Sequence, residues 1–158
     1  MPATRPNPLH LLLAFLSGGL LTLMIHFNGE LGRYGNPLFS SWAAHATGSI
    51  AATILLALLY LLHQPVAAPL SKPPLWAYLG GISGAATVML TSAAVNTPLA
   101  LTGAIALGLA GQVTFSLAAD KWGLFGLPSR KMTLRDAGAI VLILAGSALV
   151  ILFGKGAA

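Results

Sequence analysis

The sequence predicts an all-α membrane protein with five transmembrane helices. Hydrophobic residues make up 56% of the chain and charged residues only 7%, and the mean hydropathy is +0.84. Charged residues are about a quarter of an ordinary soluble domain. So few charges cannot cover a water-soluble surface of this size, and they exclude a soluble protein.

Five continuous apolar runs fill the chain, and each is long enough to cross a bilayer. They cover residues 9–27, 38–62, 75–95, 99–119 and 137–153. A transmembrane helix needs about 20 mostly apolar residues, within a range of about 17–25, and the last run lies at the short end. The runs are continuous rather than alternating, which indicates helices rather than barrel strands. We expect one five-helix domain over residues 1–158.

The connections between the runs support this division. The first run follows Arg5 but has no small-residue cleavage site after it, so it is predicted to be a retained helix rather than a signal peptide. Proline-rich stretches at 64–74 and 126–129 separate the second run from the third and the fourth from the fifth. Between the third and fourth, Asn96, Thr97 and Pro98 leave room only for a tight turn.

The basic residues predict the orientation. One side of the predicted membrane carries six of them: Arg5, Lys72, Lys121, Arg130, Lys131 and Arg135. The other side carries only Arg33 and Lys155. An excess of Lys and Arg marks the cytoplasmic face, which predicts the N-terminus inside and the C-terminus outside a cell inner membrane. The odd number of helices fits a half-unit of an inverted-repeat transporter.

Composition also bears on other functions. The net charge of +5 and the pI of about 10.1 arise from residues between the apolar runs, so we predict contact with the lipid bilayer and not with nucleic acid. The chain has no cysteine, and its four histidines fall at different depths without metal-ligand spacing. No nucleophile motif and no phosphate-binding loop is present. We therefore predict no metal, no cofactor and no enzyme activity.

Small and polar residues follow helical spacing along four of the runs. Helices in lipid pack through such faces. The first face comprises Gly18, Thr22, His26 and Glu30; the second Ser41, His45, Gly48 and Ala52; the third Gly80, Gly84, Thr87 and Thr91; the fourth Ala104, Gly108, Gln112 and Ser116, continuing to Asp120. Helix packing alone would account for the glycines.

Several motifs occur in an order that resembles the YdcZ-like family of small proteins in the drug/metabolite transporter superfamily. They are Asn28-x-x-Leu31-Gly32, then Gly35-Asn36-Pro37-Leu38 with Gly48 ten residues later, Leu75 through Gly84, Gly103 through Gly111-Gln112 to Asp120 and Gly126, and Gly138 with Gly146. The resemblance covers nearly the full chain. It implies a five-helix half-unit, relatives that occur as pairs or as fused double-length chains, and transport of an undefined substrate.

Polar side chains inside the predicted helices are the candidate site residues, because such groups are costly in lipid and are often functional. Gln112, Asn28, His45 and Thr87 are predicted to contact substrate. A hydrogen bond to a neighbouring helix is the alternative for Gln112 and Asn28, and a structural hydrogen bond is the alternative for His45.

Glu30 and His26 are the candidates for proton coupling. They lie four residues apart and could face each other along a helix. The alternatives are an interfacial pair between Glu30 and Arg33 and a packing role for His26. Asp120 is predicted to be a boundary charge.

The predicted function is that of a small-molecule secondary transporter half-unit of the drug/metabolite type, working as a dimer with a site between helices. Five helices cannot easily enclose a polar site and also face lipid, which favours a dimer with a second copy or with an oppositely oriented homologue. The alternative is a non-transporting membrane assembly or regulatory subunit.

Overall fold

The fold is that of a computed structural model, which describes residues 7–62 and 72–154. These residues form five long helices and contain no β-strand. Arg5, Lys155 and residues 64–71 of the first proline-rich stretch, which entered the sequence analysis, lie outside the described residues. Each long helical segment is long and apolar enough to cross a membrane. The prediction of an all-α membrane protein with five long apolar helices is therefore confirmed.

The helices have clear sequence boundaries. They are α1 (Pro8–Tyr34), α2 (Pro37–Leu61), α3 (Gly80–Val95) preceded by a 3-10 helix at Leu75–Leu79, α4 (Ala100–Trp122) and α5 (Leu134–Phe153). Both α1 and α2 start with an Asn-Pro pair: the side chain of Asn7 accepts from the N–H of Leu9, and that of Asn36 from the N–H of Phe39, each at 2.9 Å. An asparagine cap followed by proline at the first position is a strong helix start.

The ends of α4 and α5 that face the connecting loop are also capped. At the end of α4, Gly123 has φ +63° and its N–H donates to the carbonyl of Ala119, a left-handed stop that favours glycine. α5 begins with a capping box, in which Thr133 and Asp136 each accept from the other's backbone N–H. The loop between these caps contains Phe125, whose φ of +58° is uncommon for a residue with a side chain.

The chain divides into two compact units, Met1–Ala93 and Ala94–Ala158. In unit 1, serine hydroxyls join all three helices. Ser40 of α2 and Ser92 of α3 both donate to the carbonyl of Asn28 on α1, at 2.6 and 2.8 Å. Ser41 of α2 donates to the carbonyl of Ala85 on α3 at 3.1 Å. Ser40 and Ser92 are fully buried.

In unit 2, α4 and α5 pack through small residues. The buried positions of α4 include Gly103, Ala104 and Ala110. Ser147 of α5 is buried and donates to the carbonyl of Ala106 at 2.9 Å. Small side chains let the two backbones approach, and a hydroxyl then reaches the carbonyl of the neighbouring helix.

Removing a buried hydroxyl should weaken unit 1. We expect Ser40→Ala and Ser92→Ala each to lower the free energy of unfolding in detergent by about 0.6–1.7 kcal/mol, the range for hydrogen bonds between membrane helices. Denaturant titration of the purified protein measures this. The control is Ser17→Ala, because Ser17 is exposed and bonds only its own helix, at Ala14. Equal losses for Ser17→Ala and the buried variants would contradict the role of the Asn28 carbonyl.

Candidate functional site

A groove of about 580 Å³ in unit 1 has walls from α1, α2 and α3. This volume is within the usual size of small-molecule sites, about 300–1,000 Å³. Its polar side chains are His45, Ser49, Ser83 and Thr87. Its other lining residues are Leu21, Met24, Ala44, Gly48, Ala52, Gly80, Gly84 and Val88. The small and polar faces that the sequence shows on the second and third helices both contribute to this groove.

One hydrogen bond orients the imidazole ring of His45, which lines this groove. Its Nδ1 lies 2.7 Å from the backbone carbonyl oxygen of Ser41, one turn earlier on α2. Its Nε2 lies 3.4 Å from the position that a Cβ would take on Gly84 of α3. Glycine at this position therefore leaves room for the ring edge. Because the hydroxyl of Ser41 bonds Ala85, the same residue joins α2 to α3 and orients His45.

Thr87 of α3 lines the groove, and its hydroxyl forms a hydrogen bond within α3. It donates to the carbonyl of Ser83 at 2.8 Å, and the hydroxyl of Ser83 donates to the carbonyl of Gly80 at 3.0 Å. A hydroxyl has one hydrogen and two lone pairs. Both hydroxyls therefore retain the capacity to accept a hydrogen bond from a bound molecule.

Asn28 does not line the groove. Its side chain is buried, with 4% of the residue exposed, and its Nδ2 has no hydrogen-bond partner among the described residues. Its backbone carbonyl accepts from Ser40 and Ser92. These contacts use the backbone and not the side-chain amide, so both the substrate role and the helix-contact alternative for the Asn28 amide stay predictions.

The two candidates for proton coupling, Glu30 and His26, each contact a different neighbour. Glu30 accepts from Arg33 at 3.0 Å, in an exposed ion pair, which is the alternative that the sequence indicated for it. His26 is exposed and lies beside Phe27, with 5.9 Å between ring centroids. Among the described residues no hydrogen bond or ion pair joins His26 to Glu30.

Gln112 lies in unit 2, on the exposed side of α4, and lines a groove of about 420 Å³. Ser116 and Asp120, one and two turns further along the same face, also line this groove. Neither Gln112 nor Ser116 has a side-chain hydrogen bond within the described part of the chain. Unit 1 thus brings His45 and Thr87 together, whereas Gln112 belongs to a different groove.

Arg130 lines the groove of unit 2 and forms ion pairs with both of its long helices. Its Nε donates to Asp120 on α4 at 3.1 Å, and its two terminal nitrogens donate to the two carboxylate oxygens of Asp136 on α5, each at 3.1 Å. These bonds, first to Asp136 and then to Asp120, raise the pKa of Arg130 above its usual value. Asp120, which the sequence predicts to be a boundary charge, is therefore an ion-pair partner of Arg130. This pairing was not predicted from the sequence. The signal in the sequence is that the loop between α4 and α5 carries a basic residue and has an acidic residue at each end.

Metal ligands do not cluster in the described residues, where no group of three or more His, Asp or Glu side chains could hold an ion. A family model described as "Putative inner membrane exporter, YdcZ" matches residues 9–149. The chain belongs to the YdcZ family. No curated protein and no solved structure shows significant similarity to it.

Membership of the YdcZ family agrees with the architecture. The match includes all of α2, α3 and α4 and most of α1 and α5. Together with five helices that could each span a bilayer, it identifies a multi-pass protein of the inner membrane. At the level of the family description, the class of protein is a membrane transporter, and the resemblance found in the sequence is confirmed.

Loss of the guanidinium should weaken the loop end of unit 2. We expect Arg130→Ala to lower the melting temperature of the purified protein more than Arg135→Ala does, because two nearby carboxylates lose their shared partner. Arg135 is the control, since it forms no ion pair among the described residues. Adding Asp120→Asn to Arg130→Ala should recover part of the loss by removing one unpaired charge. Equal melting temperatures for Arg130→Ala and Arg135→Ala would show that the network contributes nothing measurable.

Proposed function

We propose that this chain is one half of a dimeric secondary transporter that exports a small molecule, and that the groove of unit 1 is part of the substrate pathway. The observation that carries the proposal is the set of polar side chains in this groove. His45 and Thr87 are exposed to the groove within helices that are long and apolar enough to span the membrane. Polar groups at such positions are costly in lipid and typically mark substrate or ion pathways.

The open form of the groove is compatible with a dimer. His45, Ser49, Ser83 and Thr87 are all exposed in unit 1, so unit 1 does not enclose the groove by itself. Walls from outside unit 1 are needed to separate these groups from lipid. Because six basic residues favour one orientation, a homodimer would be parallel, and an inverted repeat would require an oppositely oriented homologue.

The alternative is a non-transporting assembly or regulatory subunit. The pair between Glu30 and Arg33 and the bond of His45 to the Ser41 carbonyl favour it, because each uses a candidate side chain for structure. Within the part of the chain that the structure describes, the side chains of His45, Thr87 and Gln112 form no hydrogen bond to a neighbouring helix. This difference is the reason for preferring transport.

Blocking the groove should abolish export. In everted inner-membrane vesicles, we expect at least one labelled solute from a panel of amines, amino acids, sugars and organic acids to accumulate above the level of vesicles without the protein. Gly84→Leu should reduce this accumulation to background, because the new side chain would occupy the space beside His45.

Gly81→Leu is the matched control for this experiment. Gly81 is exposed and lies outside the groove lining, and no atom lies within 4 Å of the position that a Cβ would take there, so transport should be kept. Wild-type vesicles that accumulate no solute above background would favour the subunit alternative. Equal transport by both leucine variants would remove this groove from the pathway.

Cysteine labelling tests the proposed orientation, since the chain has no cysteine of its own. Ser129→Cys lies in the loop between α4 and α5, and Tyr34→Cys lies at the exposed end of α1. With the N-terminus in the cytoplasm, a membrane-impermeant thiol reagent applied to intact cells should label position 34 and not position 129. Labelling of position 129 alone would reverse the orientation.

A further inference from the structure

The hydrogen bond of the His45 ring determines which of its nitrogens is free. A backbone carbonyl can only accept, so Nδ1, at 2.7 Å from the Ser41 oxygen, carries a hydrogen. In a neutral imidazole only one nitrogen is protonated. Nε2 is then an unprotonated acceptor, and it lies 3.4 Å from the position that a Cβ would take on Gly84, which lines the same groove as His45.

The neighbouring hydroxyls also present acceptors. The hydrogens of Ser83 and Thr87 are used within α3, so their remaining lone pairs are what the groove offers. Ser49 is the polar lining residue whose hydroxyl forms no bond within the described residues. Apart from that group, the side chains of the groove accept hydrogen bonds rather than donate them. A molecule that binds there needs hydrogen-bond donors of its own.

We propose that His45 carries the proton that is exchanged for substrate, and that the substrate bears an amine or ammonium group whose N–H donates to Nε2. The proposal rests on the proposed transport function and specifies its substrate class and its coupling residue. It places coupling at a different residue from the pair Glu30 and His26 expected from the sequence.

The exchange follows from the two states of the ring. Neutral His45 accepts a hydrogen bond from the substrate N–H at Nε2. A proton that arrives from the aqueous side binds the same lone pair, and the resulting imidazolium can no longer accept and repels an ammonium group. The substrate is released, and loss of the proton from Nε2 restores the acceptor.

No other titratable group among the described lining residues faces the ring. From α1 these residues are Leu21 and Met24, from α2 they are small or hydroxylated, and from α3 they are glycine, serine, threonine and valine. His26 and Glu30 do not line the groove. A proton taken up in this groove therefore has no other side chain to bind.

Nitrogen NMR on protein with ¹⁵N-labelled histidine in lipid nanodiscs tests the geometry, with the His45 signals assigned by their loss in His45→Gln. The probes are benzylamine, which has N–H donors, and benzyltrimethylammonium, which has the same ring and charge but none. We expect neutral His45 to be protonated at Nδ1, and its Nε2 signal to shift with benzylamine only. Protonation at Nε2, or equal shifts with both probes, would overturn the proposal.

Proteoliposomes with an internal pH dye test the coupling. Wild-type protein should move benzylamine and protons in opposite directions, and His45→Gln should lose the proton movement, because glutamine cannot exchange a proton. His26→Gln is the matched control and should retain it. If His45→Gln keeps proton-coupled transport, the role of His45 is wrong while the proposed function stands. If benzylamine shifts Nε2 but wild-type protein moves neither it nor any solute of the panel, transport itself fails and so does the coupling role.

Discussion

The carbonyl of Asn28, which accepts two buried serine hydroxyls, is the interaction on which unit 1 depends. Lipid provides no hydrophobic drive for helix association, so α1, α2 and α3 need specific contacts. Ser40 connects α2 to this carbonyl and Ser92 connects α3 to it. The next residue, Ser41, binds α3 through its side chain and His45 through its backbone. Ser40 and Ser41 therefore both contribute to helix packing, and Ser41 also orients the candidate site residue His45.

Unit 2 combines a hydroxyl-to-carbonyl hydrogen bond between helices with ion pairs. Within the apolar parts of α4 and α5, Ser147 of α5 donates to a backbone carbonyl of α4. The serines of unit 1 bond neighbouring helices in the same way. At the loop end, where water screens charge, Arg130 joins the two helices through ion pairs. A hydroxyl is the less costly group inside lipid because it has no charge to desolvate, whereas an ion pair is tolerated at the interface. The position of each bond along the helices thus explains why one is formed by an uncharged hydroxyl and the others by charged groups.

Five helices could be predicted because length and hydropathy are properties of a single segment. The sequence predicted one pathway between the helices that carry Asn28, His45, Thr87 and Gln112, and of these residues only His45 and Thr87 line the groove of unit 1. The burial of Asn28 and the two serines on its carbonyl could not be predicted, because they depend on how each helix is rotated against its neighbours. α1 continues past the predicted end at Phe27 as far as Tyr34 and ends at the Gly35 cap, because a helix can extend beyond its apolar run until a glycine ends it.

The membrane itself accounts for the chemistry of the proposed site. In lipid, a serine or threonine on a helix that has no partner satisfies its hydrogen with the carbonyl one turn earlier, as Ser83 and Thr87 do. The ring of His45 does the same through Nδ1. Each of these groups has then used its donor and kept its acceptor. In the proposed site, every polar lining group except Ser49 therefore favours a molecule that brings its own hydrogen-bond donors.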